Sequence, residues 1–183
     1  MDIPVIDYWA VLSSFILGII TKYLDDVKEW WKAIIALAIA TIPLALVAYA
    51  MPELYLAIAA GVFLAGKIDT PILSFYFLYM IALLLLVDLM YDVRLRLLPL
   101  LVFTFAAAYD EKGKKLFGIE RVFLPLTTIA FMVAGLVLEA LEIYIPALNP
   151  QALFNIGLKG FVYLLAFDIG YRITAWLMEE AEG

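Results

Sequence analysis

The chain of 183 residues contains no histidine and no cysteine. These two absences exclude a histidine-ligated haem, a cysteine and histidine zinc site, a Ser-His-Asp triad, a thiol nucleophile and a disulfide. A metal site would have to use carboxylate and carbonyl oxygens, which are the ligands of hard ions. Mg²⁺ is therefore the cofactor that we expect if the protein holds one.

Nucleotide-binding motifs are also missing from the sequence. It has neither G-x-x-x-x-G-K-[ST] nor G-x-G-x-x-G, which argues against an ATP-driven pump. A net charge of −6 and an isoelectric point of about 4.6 argue against nucleic-acid binding. Only three side-chain amides occur, Asn149, Gln151 and Asn155. Their scarcity is typical of thermophiles and also of membrane spans, and both explanations stay open.

Long apolar runs dominate what is present. Hydrophobic residues make up 67% of the chain, against about 45–50% in soluble domains. The run Ala33–Pro52 has 20 uncharged residues, enough for a helix across a hydrocarbon core of about 30 Å. The runs are continuous rather than alternating, which disfavours a β-barrel. We predict an all-α, multi-pass bundle that forms a single transmembrane domain over residues 1–183, in a prokaryotic cell membrane and surrounded by membrane lipid.

Charged junctions divide the sequence into seven expected spans: 8–24, 33–52, 53–69, 70–90, 95–109, 121–144 and 153–178. One side of the membrane then holds nine basic residues: Lys22, Lys28, Lys32, Lys67, Lys112, Lys114, Lys115, Arg121 and Arg172. The other side holds Arg94, Arg96 and Lys159. Because basic residues are enriched in the cytoplasm, this bias predicts an external N-terminus and a cytoplasmic C-terminus.

Two of these spans are short. Leu54–Gly66 and Leu97–Tyr109 each have 13 uncharged residues, or about 20 Å of helix. If both are half-helices or re-entrant segments, five spans remain, and Arg94 and Arg96 change sides. Both arrangements are compatible with the charge bias.

Carboxylates close the first span. Lys22 and Asp26 are four residues apart on the expected helix, as are Asp25 and Glu29, so each pair shares a face. One interpretation is a solvated, ion-paired helix end. The other makes Asp25 and Asp26 Mg²⁺ ligands, Asp26 also a catalytic group, and Lys22 a substrate-binding residue.

A second charged segment runs from Asp88 to Arg96. Asp88, Asp92 and Arg96 recur every four residues, so a continuing helix would place them on one face. Asp88 and Asp92 are candidate metal ligands and catalytic residues, and Arg94 and Arg96 are candidate clamps for a substrate phosphate. An ion-paired helix end before Pro99 is the alternative interpretation.

A third junction, Gly66–Pro71, carries Asp69. We expect Thr70 to cap the next helix and Pro71 to open it, while Asp69 remains a catalytic candidate. On the last span, Asp168 is a candidate for proton or cation coupling together with Lys159, or each pairs with a neighbouring charge.

The aspartates resemble motifs of two families. Asp88-x-x-x-Asp92, with Asp25-Asp26, resembles the aspartate-rich motifs of UbiA-type prenyltransferases, which implies Mg²⁺-mediated binding of a prenyl diphosphate. The motif that comes first in the chain, Asp25-Asp26, lacks the asparagine and the aspartate spacing of that family.

The segment from Gly18 to Lys28, followed by Gly66-x-x-Asp69, resembles the two-aspartate layout of prepilin and preflagellin peptidases. This resemblance implies that Asp26 and Asp69 activate water for peptide hydrolysis. The second glycine of the G-x-G-D motif is missing here, and the chain is assigned to neither family.

The sequence thus leads to a Mg²⁺-dependent enzyme or carrier for a lipid-linked phosphate, with Asp25, Asp26, Asp88 and Asp92 as its main groups. The alternatives are a cation- or proton-coupled transporter, a GxGD-like aspartyl peptidase, and a non-catalytic subunit of a membrane complex. A second copy of the chain or another membrane protein is a possible partner.

Overall fold

The structure, a computed structural model, describes residues 5–66, 70–91, 95–117, 122–141 and 149–182. These residues contain seven helices: α1 Tyr8–Asp26, α2 Trp30–Ala50, α3 Pro52–Leu64, α4 Pro71–Tyr91, α5 Leu97–Phe117, α6 Phe123–Ala140 and α7 Pro150–Glu182. No strand occurs among them, so the prediction of an all-α fold is confirmed.

Four of the helices are long and apolar enough to cross a membrane: Trp30–Ala50, Pro71–Tyr91, Phe123–Ala140 and Pro150–Glu180. The short helix α3 is also apolar. The protein is therefore a helical membrane protein.

Prolines set where several helices begin. Pro52, Pro71 and Pro150 each occupy the first position of a helix, where the missing N–H costs nothing. The backbone N–H of Leu73 donates to Thr70 Oγ1 over 3.2 Å, so the expected cap of α4 by Thr70 is confirmed. At the end of α3, Gly66 has a φ of 70°, a left-handed conformation that suits glycine after a helix.

Contacts at both ends of α1 fix its direction relative to α7. Lys159 Nζ lies 3.1 Å from Asp7 Oδ2, and the Tyr171 hydroxyl lies 3.3 Å from Asp25 Oδ2. The first and last helices therefore run parallel. We call the end of the bundle where α1 begins the Tyr8 end, and the end where it finishes the Asp26 end.

The remaining helices alternate in direction. Ring contacts of Trp30 with Phe75 and of Tyr49 with Tyr91 make α2 parallel to α4. The bond from the Arg96 N–H to Glu53 makes α3 parallel to α5, and the approach of Gly135 to Phe154 makes α6 antiparallel to α7. Since only residues 27–29 separate α1 from α2, odd-numbered helices run from the Tyr8 end to the Asp26 end and even-numbered helices run back.

Glycines allow the closest approaches between helices. A Cβ atom added at Gly18 of α1 would overlap the carbonyl oxygen of Phe167 in α7, and one at Gly170 of α7 would overlap that of Phe15. A Cβ at Gly135 of α6 would lie 2.7 Å from the Pro150 carbonyl oxygen. Such backbone contact is a main source of helix association in membranes, where apolar burial contributes little.

Hydroxyl groups add bonds between helices. Ser14 of α1 bonds Tyr55 of α3, and the oxygens of Thr21 and Tyr76 lie 3.1 Å apart between α1 and α4. The Ser14 hydroxyl also lies 2.6 Å from the Ala10 carbonyl oxygen in its own helix. These bonds satisfy polar groups that the bilayer would leave unpaired.

The outer surface is apolar between aromatic ends. Exposed aliphatic residues follow one another along α2: Ile34, Ile35, Ile39, Ile42 and Leu46. Exposed aromatic residues lie at the Tyr8 end (Tyr8, Trp9, Tyr49, Tyr91) and at the Asp26 end (Trp30, Trp31, Trp176). Soluble proteins rarely expose so large an apolar surface, and aromatic belts mark membrane interfaces.

One of the two expectations about short helices changes. Helix α3, with 13 residues, is as short as predicted. Helix α5, by contrast, has 21 residues and continues beyond the expected limit at residue 109. The helix continues through the charged residues that follow Tyr109. The length of the uncharged run was therefore shorter than the helix itself.

We predict that Gly18→Ala lowers the stability of the bundle, because the added methyl group forces α1 away from the α7 backbone. Overpacking of this kind costs about 1–3 kcal/mol. Thermal unfolding in detergent would measure the change. Val133→Ile, which adds one carbon on the exposed face of α6, is the control and should leave the melting temperature unchanged. Equal melting temperatures for both variants would contradict the close α1–α7 contact.

Candidate functional site

The first aspartate pair lies at the Asp26 end. Lys22 Nζ is 2.6 Å from Asp26 Oδ2, which confirms the expected pairing along the helix. The Tyr171 hydroxyl donates to Asp25, and the Tyr171 ring lies 5.9 Å from Lys22 Nζ. These contacts join α1 to α7. They give Asp26 a lysine partner and Asp25 a tyrosine partner.

The expectation that Asp25 and Glu29 share one face of the same helix is wrong. Helix α1 ends at Asp26, and Val27 is extended, so Glu29 does not lie on the same helix. Glu29 Oε2 instead lies 3.1 Å from Lys32 Nζ at the start of α2. The bond from Lys32 lowers the pKa of Glu29, as expected for an ion pair outside the spanning helices.

The second charged segment is divided between two elements. Asp88 belongs to α4, close to its end at Tyr91, and therefore lies at the Tyr8 end. Arg96 precedes α5 and is not helical, so the expected single helical face from Asp88 to Arg96 is wrong. Asp69, Asp92 and Arg94 lie outside the described residues. The structure thus separates Asp25 and Asp26 from Asp88 by the length of the bundle.

Arg96 is held by a buried carboxylate from another helix. Glu53 Oε1 accepts the backbone N–H of Arg96 over 3.1 Å and lies 3.9 Å from its Nε atom. Glu53 is only 4% exposed, whereas the Arg96 side chain is 55% exposed. Glu53 also occupies the first turn of α3, where the helix dipole favours an acidic group. The arginine is therefore anchored on its backbone side while its guanidinium remains accessible.

Arg96 lines a pocket of about 410 Å³ at the Tyr8 end, which we call the polar pocket. Its other polar lining comes from α2, α3 and α7: Tyr49, Glu53, Asn155 and Lys159. Residues 49 to 53, at the junction of α2 and α3, form one wall. The pocket therefore brings together two basic side chains that are far apart in sequence.

Lys159 forms an ion pair with Asp7, the residue directly before α1. Its Nζ atom lies 3.1 Å from Asp7 Oδ2, which the Tyr163 hydroxyl also approaches at 3.3 Å. The sequence predicted a neighbouring charge as a possible partner of Lys159 but did not point to Asp7, because 152 residues separate the two groups. Arginine has five N–H donors and lysine has three, so together they match a phosphate or another oxyanion.

A second cavity, which we call the central cavity, lies toward the Asp26 end. Its volume is about 90 Å³, and its polar lining includes Asp110, Glu111, Asp168, Thr21 and Tyr76. Asp110 caps α6 by accepting the N–H groups of Phe123 at 2.6 Å and Leu124 at 2.8 Å. The sequence assigned Asp110 and Glu111 to a polar connection, because it did not show that α5 continues through them.

Asp168 and Lys159 are not neighbours in space. Nine residues of α7 separate them, or about 14 Å of helix. Asp168 therefore belongs to the central cavity and Lys159 to the polar pocket. Within the described part of the chain, no group of three or more carboxylates is placed to hold a metal ion.

Comparison with known proteins gives no match to a family model, to a curated protein or to a solved structure.

Proposed function

We propose that the protein binds a phosphate-bearing membrane lipid in the polar pocket, as a Mg²⁺-dependent enzyme or carrier. The observation that carries this proposal is the convergence of Arg96 and Lys159 on one pocket at the end of an apolar bundle. Arginine suits the planar, bidentate recognition of a phosphate, and lysine adds a compact positive charge. The amide of Asn155 supplies a neutral donor to the same pocket.

The acidic end of α4 belongs to the same proposal. The ring of Tyr91 lies 5.7 Å from that of Tyr49, which lines the polar pocket, so α4 ends beside this pocket. In this proposal Asp88 and Asp92 are the Mg²⁺ ligands, and the ion would neutralise part of the phosphate charge. Asp25, Asp26 and Lys22 have no part in this site, since they lie at the other end of the bundle.

The proposal predicts that an alkyl phosphate with Mg²⁺ raises the melting temperature of the wild type in detergent. A ligand at 100 times its Kd adds about 2.7 kcal/mol of stability. Arg96→Gln and Lys159→Gln should lose most of this gain, and Asp88→Asn should lose the part that depends on Mg²⁺. Lys32→Gln, at the opposite end, is the control and should keep the full gain. An equal gain in all four variants would refute the polar pocket as the phosphate site.

We further propose that all seven helices cross the membrane, with the Tyr8 end outside. The alternating helix directions support this arrangement, as does the count of nine basic residues against three. The polar pocket would then open toward the outer leaflet.

Because the chain has no native cysteine, single cysteines can report the side of the membrane without background. We predict that a cysteine at Met90 reacts with an impermeant maleimide on intact cells, since Met90 is exposed at the Tyr8 end. A cysteine at Lys112, exposed near the Asp26 end, should react only after permeabilisation. Reaction of both on intact cells, or of neither before permeabilisation, would contradict the proposed orientation.

The central cavity favours a second candidate function, a proton- or cation-coupled transporter. Asp168, Glu111 and Asp110 line one cavity inside the bundle together with the hydroxyl-bearing Thr21 and Tyr76. Ionisable groups placed inside a membrane domain commonly mark ion pathways. The peptidase hypothesis depends on Asp69 and stays a prediction.

For the transporter we predict that proteoliposomes dissipate a pH or Na⁺ gradient faster than empty liposomes. Asp168→Asn should remove this extra rate, because the amide cannot exchange a proton or neutralise a cation. Glu179→Gln, exposed near the end of α7, is the matched control and should retain it. Identical rates with and without protein would count against coupling through the central cavity.

A further inference from the structure

An apolar groove between α3 and α4 leads away from the polar pocket. Its part nearest the pocket has a volume of about 110 Å³ and its far part about 560 Å³. Leu56 and Ile81 line both parts, so the two parts lie next to each other along the same two helices. We call the whole feature the α3–α4 groove.

Each wall of the groove is one stripe along a helix. Pro52, Leu56, Ala60 and Phe63 supply the α3 wall at intervals of four, four and three residues. Residues at this spacing share a helix face. The distance from the first to the last is about 16 Å at 1.5 Å per residue.

The α4 wall has the same form: Ser74, Leu78, Ile81 and Leu85 follow one face of that helix. The floor is buried, as at Ala59 and Leu84, while the rims at Phe63 and Leu78 are exposed to the surroundings. The far part of the groove is therefore open on one side, and the groove as a whole suits a long, narrow apolar group.

The groove and the polar pocket meet at the Tyr8 end. Two pairs of consecutive residues have one member in each lining. Ala48 lines the groove and Tyr49 lines the polar pocket. In the same way, Leu95 lines the groove and Arg96 lines the polar pocket. Pro52 lines both. A molecule with its charged group at Arg96 could therefore extend an attached chain directly into the groove.

From this continuity we propose that the α3–α4 groove binds the hydrocarbon chain of the same lipid whose phosphate occupies the polar pocket. This inference rests on the proposed function and narrows its ligand to a phosphate monoester with at least one long alkyl or prenyl chain. Arg96 and Lys159 of the polar pocket complement the headgroup charge, and the groove, which is nearly free of polar groups, complements the chain. Bulk lipid would fill the groove without selecting a headgroup, so the joint requirement for both parts distinguishes the proposal.

Photo-crosslinking can locate the chain. The probe is hexadecyl phosphate with a diazirine at the middle of its chain, added to the full-length protein in phosphatidylcholine nanodiscs. We expect label on peptides from α3 and α4, and loss of that label in Arg96→Gln and in Lys159→Gln. Ala60→Trp should also lose it, because the indole fills the groove. Ala130→Trp, at an exposed position of α6, is the matched control and should keep it.

Butyl phosphate has a chain too short to follow the groove. It therefore tests the phosphate site in the polar pocket independently of the chain site in the groove. Label spread over the outer faces of α2 and α6, or unchanged in Ala60→Trp, would overturn the groove. If butyl phosphate still stabilises the wild type but not Arg96→Gln, the headgroup site would survive that result. The absence of stabilisation by either phosphate would overturn both proposals. Melting temperatures of the ligand-free variants would show that each is folded.

Discussion

The bundle depends on backbone contact between α1 and α7. In a bilayer the lipid chains are as apolar as leucine, so apolar burial between helices gains little, and packing at small residues and interhelical hydrogen bonds matter more. Gly18 and Gly170 provide this packing from opposite sides of the same crossing. Because α1 and α7 are far apart in sequence, their contact holds distant parts of the described chain together.

This contact also brings polar side chains of α7 to aspartates at both ends of α1. At the Tyr8 end it brings Asp7 to Lys159, and at the Asp26 end it brings Asp25 to Tyr171. Each end therefore has its own chemistry. Aspartates and a lysine are engaged with one another at the Asp26 end, whereas at the Tyr8 end the paired cations Arg96 and Lys159 border an open pocket. The difference between the ends, rather than the number of aspartates, directs attention to the polar pocket.

Local features were predictable from the sequence because they depend on residues a few positions apart. The pairing of Lys22 with Asp26 and the cap at Thr70 are of this kind. The bond between Glu53 and Arg96 was not predictable, since 43 residues separate them and nothing in the local pattern distinguishes Glu53 from an exposed acid. The role of Arg96 as a phosphate clamp stays a prediction, but the expected geometry, one helical face shared with Asp88, is wrong because Arg96 is not helical.

The partners of the two cations give them different roles in a phosphate site. Glu53 is buried in the first turn of α3, and its bond to the Arg96 backbone holds the arginine at the edge of the pocket. Moving Glu53 away would leave a buried charge unpaired, which is costly. Asp7 is about half exposed and precedes α1, so water can replace its bond to Lys159 at little cost. In the proposed complex, Arg96 is therefore the fixed contact, whereas the lipid phosphate must compete with Asp7 for Lys159. A ligand with a single weak negative charge gains little in that competition, and a phosphate monoester with nearly two charges gains more.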